Sequence, residues 1–516
     1  MRIAIFVQGS RGDCQPMLAL AAHLKQEHAM EPLVLTSSDH VPFCELLGLQ
    51  AHACWPDGEA FMMANDTQLK AMADGDAMAH MHAIGEYRSK NVQAAAVSAL
   101  AALRTFRPAM LLTGVLDWLV CEPLAMLLGV PAVYTGLQPN ALTAEMRSGF
   151  GESPRFAYIA MLAQFILTVK LGAAPEIKLV REALDKELGS RVMMAETAIG
   201  HYLHEWHTPL TPVIIGISEH LRGKHTDLPA AYASRCVLSG YWVLSARSQL
   251  DLAKQKEAPT GGKHVFGGGD AMEALRAFLS CDQGKEPPVY MGWGSMIAVS
   301  PEHMACLAVR SLMIASKRGI ILGGFAKLHA SLLASADAED ADELIAYAAK
   351  NVLFVQSAPH EWLFPKCSAL VHHGGAGTTA AGMRAGVPAI ITPCFADQFD
   401  HASNVAKAGV GVALPQIKRV SAPDLAAALK TIDEPMREAA NALSIKLCAE
   451  NGPDKAGRVL RAFYEEEVAT GKWAAAFEAR VARRRLFRTR RFMYGGFAGA
   501  IFSTLWVLRA WATKRV

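Results

Sequence analysis

The chain has 516 residues, with 52% apolar and 19% charged residues and a formal charge of +3. That length exceeds one compact core, and the apolar fraction excludes a largely disordered chain. The near-zero charge excludes a nucleic-acid binder held by overall charge.

The +3 hides an asymmetry. From Trp473 onward ten Lys/Arg stand against one acid, so this tail carries +9 and the remainder −6. The ten cysteines are scattered without a CxxC pair, no zinc-ligand spacing is visible, and Met1 leads directly into a strand-length apolar run. These features point to reduced thiols in a cytoplasmic protein without a secretory leader.

In chain order, "IAIFV" (3–7) predicts a strand that enters a turn, "QGSRGDCQP", holding Gly9, Gly12 and Asp13. "MLALAAHLKQ" then has helical spacing, "EPLVLTS" is a second strand, and "RPAMLLTGV" and "VPAVYTG" are buried strands flanking the helix "NVQAAAVSALAALRTF". Strands alternating with helices imply a parallel sheet covered on both faces. Residues 245–272 are polar and Gly-rich, which reads as a linker. The alternation then restarts with "PPVYMGWGSM", "RGIILGGF", "NVLFVQ", "SALVHHGGAG" and "VPAIITP". The expected organisation is two Rossmann-like, doubly wound α/β domains facing across a cleft. They occupy residues 1–240 and 286–470, with a linker at 241–285 and a tail at 471–516.

Chemistry concentrates in "HHGGAGTTAAGMRAG". A strand ends in Gly374, Gly375, Ala376 and Gly377 and a helix begins. Small residues let backbone approach a ligand, and free N–H groups at a helix start attract an anion. Thr378 is placed to cap that helix, and His373 to donate to a phosphate oxygen. An ordinary strand-to-helix turn has the same glycines. Two further polar turns strengthen the anion reading. Gly294 and Ser295 follow one strand, and Asp397 and Gln398 follow another, as a carboxylate and an amide suited to sugar hydroxyls. Carboxyl ends of neighbouring parallel strands converge.

On "GSRGDCQP", "VYMGWGSM", "APHEWLFPKCSALVHHGGAGTTAAGMRAGVP" and "PCFADQ", the chain resembles the UDP-sugar glycosyltransferases, in particular their sterol glucosyltransferase branch. The resemblance runs in order from residue 1 to about 460 and implies the GT-B fold, with an N-terminal acceptor domain and a C-terminal donor domain. It implies that His373, Gly375, Ala376, Gly377, Thr378 and Ser295 line the diphosphate. It likewise implies that Asp397 and Gln398 hold the sugar, and that Ala358 and His360 flank the uracil. The plant small-molecule branch stacks a Trp on the base, whereas this chain has Ser357 there, and Trp362 reads as a packing residue. No cofactor and no metal is implied; the co-substrate is UDP-glucose or a related UDP-hexose.

The resemblance makes Asp13 the general base, with Ser10, Arg11 and Gly12 on the acceptor side. A free Asp, pKa about 3.9, is a weak base for an alcohol, and an apolar pocket raises that value. On residue chemistry alone, Asp13 also suits the N-cap of the following helix, with Pro16 in its first turn. Arg11 has two expected partners, Asp13 or a phosphate.

Three other features are weighed more lightly. "DGD" (Asp74–Asp76) is an acidic pair outside any strand end. His201, His204 and His207 have a spacing that suits zinc on a helix face or the lining of an acceptor cleft. The Met-rich stretch 61–81 reads as a helical acceptor wall. In the tail, seven arginines between Arg480 and Arg491 precede 17 uncharged residues, Phe492 to Leu508. As a helix that run spans about 25 Å, short of the ~30 Å hydrocarbon core. Basic residues beside an aromatic apolar run predict a peripheral membrane contact through residues 480–516. The expected activity is therefore inverting, metal-independent hexosyl transfer to a sterol or other apolar lipid. The alternatives are a soluble aglycone acceptor, or a non-catalytic nucleotide-sugar or lipid binder.

Overall fold

The computed structural model describes residues 1–137, 174–188, 208–223, 228–254, 266–280, 286–335 and 339–494. Its frame is two all-parallel sheets. The first has seven strands: β1 (Arg2–Val7), β2 (Glu31–Ser37), β3 (Gln50–Trp55), β4 (Met110–Thr113), β5 (Ala132–Gly136), β6 (Val213–Ile215) and β7 (Cys236–Leu238), in the order β3-β2-β1-β4-β5-β6-β7. The second has six: β8 (Val289–Gly292), β9 (Gly319–Leu322), β10 (Val352–Val355), β11 (Ala369–His372), β12 (Ala389–Ile391) and β13 (Gly411–Ala413), in the order β10-β9-β8-β11-β12-β13.

The central strands are buried on both faces, and Ile3, Ala4, Ile5, Leu370 and Val371 are fully enclosed. That is why they read as continuous apolar runs rather than alternating ones. In each sheet the chain first works outward on one side and then crosses to the other. The crossings lie between β1 and β4, where Ile3 pairs with Met110, and between β8 and β11, where Val289 pairs with Ala369. Ligands of open α/β sheets bind beyond the carboxyl ends of strands at such points. The first crossing carries the Asp13 loop and the second carries the glycine loop.

The stretch expected to be a linker is more ordered than its composition predicts. It holds helices Ala246–Ala253 and Gly268–Ser280, and Trp242 and Phe266 are buried in the main core. The predicted domain boundary at residue 470 is also not a spatial one. The helix Gly452–Phe463 leaves the second domain and packs on the first. There Lys455 donates to the Leu238 carbonyl at 2.8 Å, Arg461 donates to the His28 carbonyl, and Gly452 sits so close to the Gly240 carbonyl that a Cβ would come to 2.5 Å. The following helix, Lys472–Tyr494, starts with Trp473 and Val481 buried and Trp473 stacked on Phe477, so the beginning of the basic tail is docked on the body. Residues 495–516 and His201, His204 and His207 lie outside the described residues. Among the described residues no helix is long and apolar enough to cross a membrane, and the described cysteines are free thiols.

One buried ion pair braces the floor of the first domain's cleft. Arg88 donates to both oxygens of Glu176, at 2.8 and 2.5 Å, and also to Gln8 at the end of β1, with both charged side chains under 10% exposed. Arg88→Met strands the Glu176 carboxylate in the interior and is expected to cost about 3–5 kcal/mol, read as a lower urea midpoint. The double change Arg88→Met with Glu176→Leu is expected to recover most of that loss, because Glu176 is no longer left as an unpaired charge.

Candidate active site

The first loop is built around Asp13. Ser10, in extended conformation, is the N-cap of helix Arg11–Glu27. Asp13 is therefore not the N-cap that its residue type suggests. It is the third helical residue, and its Oδ2 reaches back to accept from the Ser10 N–H at 2.9 Å and the Ser10 Oγ at 3.0 Å. This is one half of a capping box. Gly9 makes the turn at φ +113, and a Cβ there would lie 2.6 Å from Asp13 Oδ2, so only glycine leaves room for the carboxylate. His40 Nε2 donates to the Gly9 carbonyl at 2.9 Å and steadies the same turn.

The Asp13 side chain is open to solvent, and the second domain stands across from its loop. Enclosure by protein, joined by the charge of Asp397, raises its pKa to about 6, against the lowering effect of the Ser10 hydrogen bonds and His40. Asp397 belongs to the other domain, so its effect on Asp13 records that the two loops face each other. The backbone agrees: a Cβ on Gly377 would stand 3.9 Å from the Gly12 carbonyl.

The described contacts of Arg11 are with its own helix and with two aromatic rings. Its Nε donates to Gln15 at 3.1 Å, and its guanidinium lies 4.4 Å from the Phe266 ring centroid and 5.9 Å from that of Phe43. Burial lowers its pKa to about 10. This residue, expected on the acceptor side, ties the first loop to the interdomain segment.

On the facing domain, β11 ends at His372 and the chain turns through Gly374 at φ +90. A Cβ on Gly374 would strike Ile391 and the Gln398 carbonyl, at 2.7 and 3.0 Å. Gly375, not Thr378, caps helix Ala376–Arg384, and no side chain satisfies that helix start. Thr378 is the third helical residue and offers its hydroxyl beside the open N–H groups rather than closing them. Residues 375–378 are half-buried at the cleft wall. His373 is wedged between two glycines, since a Cβ on Gly294 would lie 3.0 Å from its ring and one on Gly375 only 2.4 Å. Its Nδ1 is buried without a protein partner, and burial lowers its pKa to about 4, so the ring is neutral at pH 7. A neutral imidazole carries one ring N–H, and here it stands beside an uncapped helix start, where an anion is favoured.

The other two turns meet the same place. Trp293 Nε1 donates to Thr392 Oγ1 at 2.9 Å, locking the turn of Gly294 and Ser295 to the end of β12. Asp397 caps helix Gln398–Lys407 by position, stands 3.3 Å from His401 Nε2 and keeps 22% of its side chain exposed. Gln398 is buried. Its Oε1 accepts from the Cys394 and Phe395 N–H groups, at 2.7 and 3.2 Å, and its amide nitrogen lies 3.6 Å from Met296 Sδ. Of the predicted sugar pair, Asp397 faces outward and Gln398 shapes the loop that presents it. His360 is likewise turned inward: its ring stacks on Phe364 at 4.5 Å and its Nε2 is 3.2 Å from the Tyr290 hydroxyl. Ala358 is buried in the loop after β10, and a Cβ on Gly267 would touch the neighbouring Ser357 carbonyl at 2.3 Å.

Two features of the cleft escape a reading of sequence. Asp117, beyond β4 at the same crossing as Asp13, is 2% exposed with Oδ1 unpartnered, and burial raises its pKa to about 7. Its signal was a carboxylate directly after an apolar strand. The Met-rich stretch is helical as expected, in helices Gly58–Ala64 and Asp66–Asp74 and the start of Ala77–Phe106. It bridges the domains: the His80 ring lies 4.6 Å from that of Phe395, and the Val299 N–H donates to the Ala73 carbonyl at 2.9 Å. Of the "DGD" acids, Asp74 ends one helix and Asp76 caps the next by accepting from Met78 and Ala79. Trp362 packs against the core and carries Lys366 over its ring, as a packing residue should.

Comparison with known proteins agrees with this geometry. Residues 319–462 match the family model of the erythromycin biosynthesis protein CIII-like C-terminal domain. A sterol 3-beta-glucosyltransferase of Arabidopsis thaliana is 35% identical over 167 residues, 32% of this chain and 25% of that protein. The sterol 3-beta-glucosyltransferase of Debaryomyces hansenii is 35% identical over 234 residues, 45% of this chain and 13% of that protein. The chain thus matches a quarter or less of the length of these two relatives. Among solved structures, the calicheamicin glycosyltransferase CalG4 superposes with a TM-score of 0.56 at 16% identity, covering 90% of this chain and 98% of that one. The spinosyn forosaminyltransferase SpnP gives 0.55 at 15%, covering 90% and 100%. These structures establish the two-domain GT-B fold.

Proposed function

We infer that this chain, a GT-B protein similar over its C-terminal region to sterol 3-beta-glucosyltransferases, transfers a hexose from a UDP-sugar to the hydroxyl of a sterol or another apolar lipid. The observation that carries this reading is the facing of the Asp13 loop by Asp397 and by the uncapped start of helix Ala376–Arg384. A base and a diphosphate cradle stand on opposite walls of one cleft.

The acceptor hydroxyl attacks the anomeric carbon from the Asp13 side. Asp13 takes the hydroxyl proton as the new C–O bond forms, and the bond from the anomeric carbon to the diphosphate oxygen breaks. Attack opposite to the leaving group inverts the anomeric configuration. With a pKa of about 6, Asp13 is a stronger base than an ordinary carboxylate and still ionised at neutral pH. The charge growing on the diphosphate is met by the helix N–H groups and by a neutral imidazole N–H of His373, a role that a metal ion fills in other enzymes. Asp397 accepts from sugar hydroxyls, Ser295 and Thr378 donate to the phosphates, and the backbone at Ala358 borders the base. UDP-glucose is the proposed donor. Proton NMR of the product made without added divalent cation tests the stereochemistry: a β-linked glycoside supports single displacement, and an α-linked product refutes it.

We place the protein at a cytoplasmic membrane surface through its basic tail, which suits an acceptor dissolved in lipid. In flotation with anionic vesicles the full chain is expected to rise and a chain ending at Trp473 to stay behind. Equal flotation of the two would remove the tail from the account.

A further inference from the structure

Far from the cleft, the two ends of the chain meet at a cluster of metal-ligating side chains. His28 is the C-cap of helix Arg11–Glu27, roughly 22 Å along the helix from Asp13 at 1.5 Å per residue. His23 lies on the same helix, and Asp454 is in the first turn of helix Gly452–Phe463. One ligand atom from each of the three falls within 4.8 Å of the other two. His28 Nε2 stands 3.1 Å from Asp454 Oδ1, and the two imidazole centroids are 5.8 Å apart.

Three observations take this beyond an ion pair. First, His23 Nε2 is buried and has no hydrogen-bond partner, an expensive state for a polar nitrogen beside a histidine and a carboxylate. Second, the second Asp454 oxygen is held by Arg458 at 2.9 Å and the His28 carbonyl by Arg461, so outer contacts fix both groups in orientation. Third, Gly457 makes room for the His28 ring, since a Cβ there would lie 2.4–2.6 Å from the imidazole. The end of a long helix also favours positive charge.

We propose that His23 Nε2, His28 Nε2 and Asp454 Oδ1 bind a zinc ion that clasps the C-terminal crossover helix to the first helix of the N-terminal domain, with water as fourth ligand. Two imidazoles and a carboxylate are a common zinc donor set. Tetrahedral ligands at about 2.0–2.1 Å from the metal lie roughly 3.3 Å apart, close to the 3.1 Å between His28 Nε2 and Asp454 Oδ1. Neutral imidazole is the binding form. Zinc here is structural and separate from glycosyl transfer.

The test uses the full chain, stripped with chelator, dialysed and titrated with zinc against a chromophoric competitor. The chain is expected to take up one tight equivalent and to melt at a higher temperature when loaded. His23→Ala and Asp454→Asn are expected to lose both effects, while His201→Ala with His204→Ala and His207→Ala keeps them. Cobalt(II) in place of zinc should show four-coordinate visible bands in the parent and not in His23→Ala, a readout independent of folding yield and of activity. No tight equivalent in the folded parent, or one that survives His23→Ala and Asp454→Asn, overturns the proposal.

Discussion

Asp13→Asn is expected to lower kcat for glycosyl transfer by about 10²–10⁴-fold, the usual contribution of a positioned general base. UDP binding by calorimetry is expected to be unchanged, because the proposed nucleotide cradle belongs to the other domain. The fold should survive, since an Asn oxygen still accepts from Ser10 and the substitution removes the repulsion with Asp397. Asp13 also predicts a pH profile. The reactive form is the carboxylate, and its pKa of about 6 lies above the ordinary range. The parent's kcat/KM should therefore fall as pH drops through about 6 and level off above it, and the asparagine variant should lose that limb. Retention of most turnover, with the limb intact, would give Asp13 a capping role alone.

The second large effect is expected from Gly375→Ala. Gly375 has φ −60 and ψ 143, which alanine adopts without strain, so the backbone is not what the substitution tests. The added methyl would stand 2.4 Å from His373 Nε2 and must push the imidazole out of place. If that ring donates to the diphosphate, UDP affinity drops by about 1.5–3 kcal/mol, roughly ten- to hundredfold, as for loss of a hydrogen bond to a charged group. Gly58→Ala, where a Cβ meets nothing within 4 Å, serves as the neutral control. An unchanged Kd for UDP would detach His373 and this helix start from phosphate binding.

How far the sequence could be read follows from the length and burial of its segments. The strands β1, β2, β4, β5 and β8 to β12 stand out because each is a buried apolar run closed by Gly, Pro or a polar turn. β6, β7 and β13 were not singled out, although β12, which was, is equally short. β3 escaped because "QAHACW" lies at the sheet edge with polar and half-exposed residues. The glycine loop was legible as a strand-to-helix turn with an open helix start, since strand, small residues and helix follow one another directly. Thr378 misled because Thr is a good cap by type, while Gly375 reaches the extended conformation first. Gln398 and His360 have the right chemistry for a ligand, but packing turns both inward, which no spacing reveals. The three residues at the crossover were invisible for a simpler reason: His28 and Asp454 are 426 residues apart.

The most direct test of the account is mass spectrometry of lipid products. The full chain would be incubated with UDP-glucose and vesicles containing sterol, alongside soluble aglycones. The account predicts a sterol that gains one hexose, formed by the parent and not by Asp13→Asn. A preparation that binds UDP and glycosylates a soluble aglycone but leaves every sterol unmodified would contradict it.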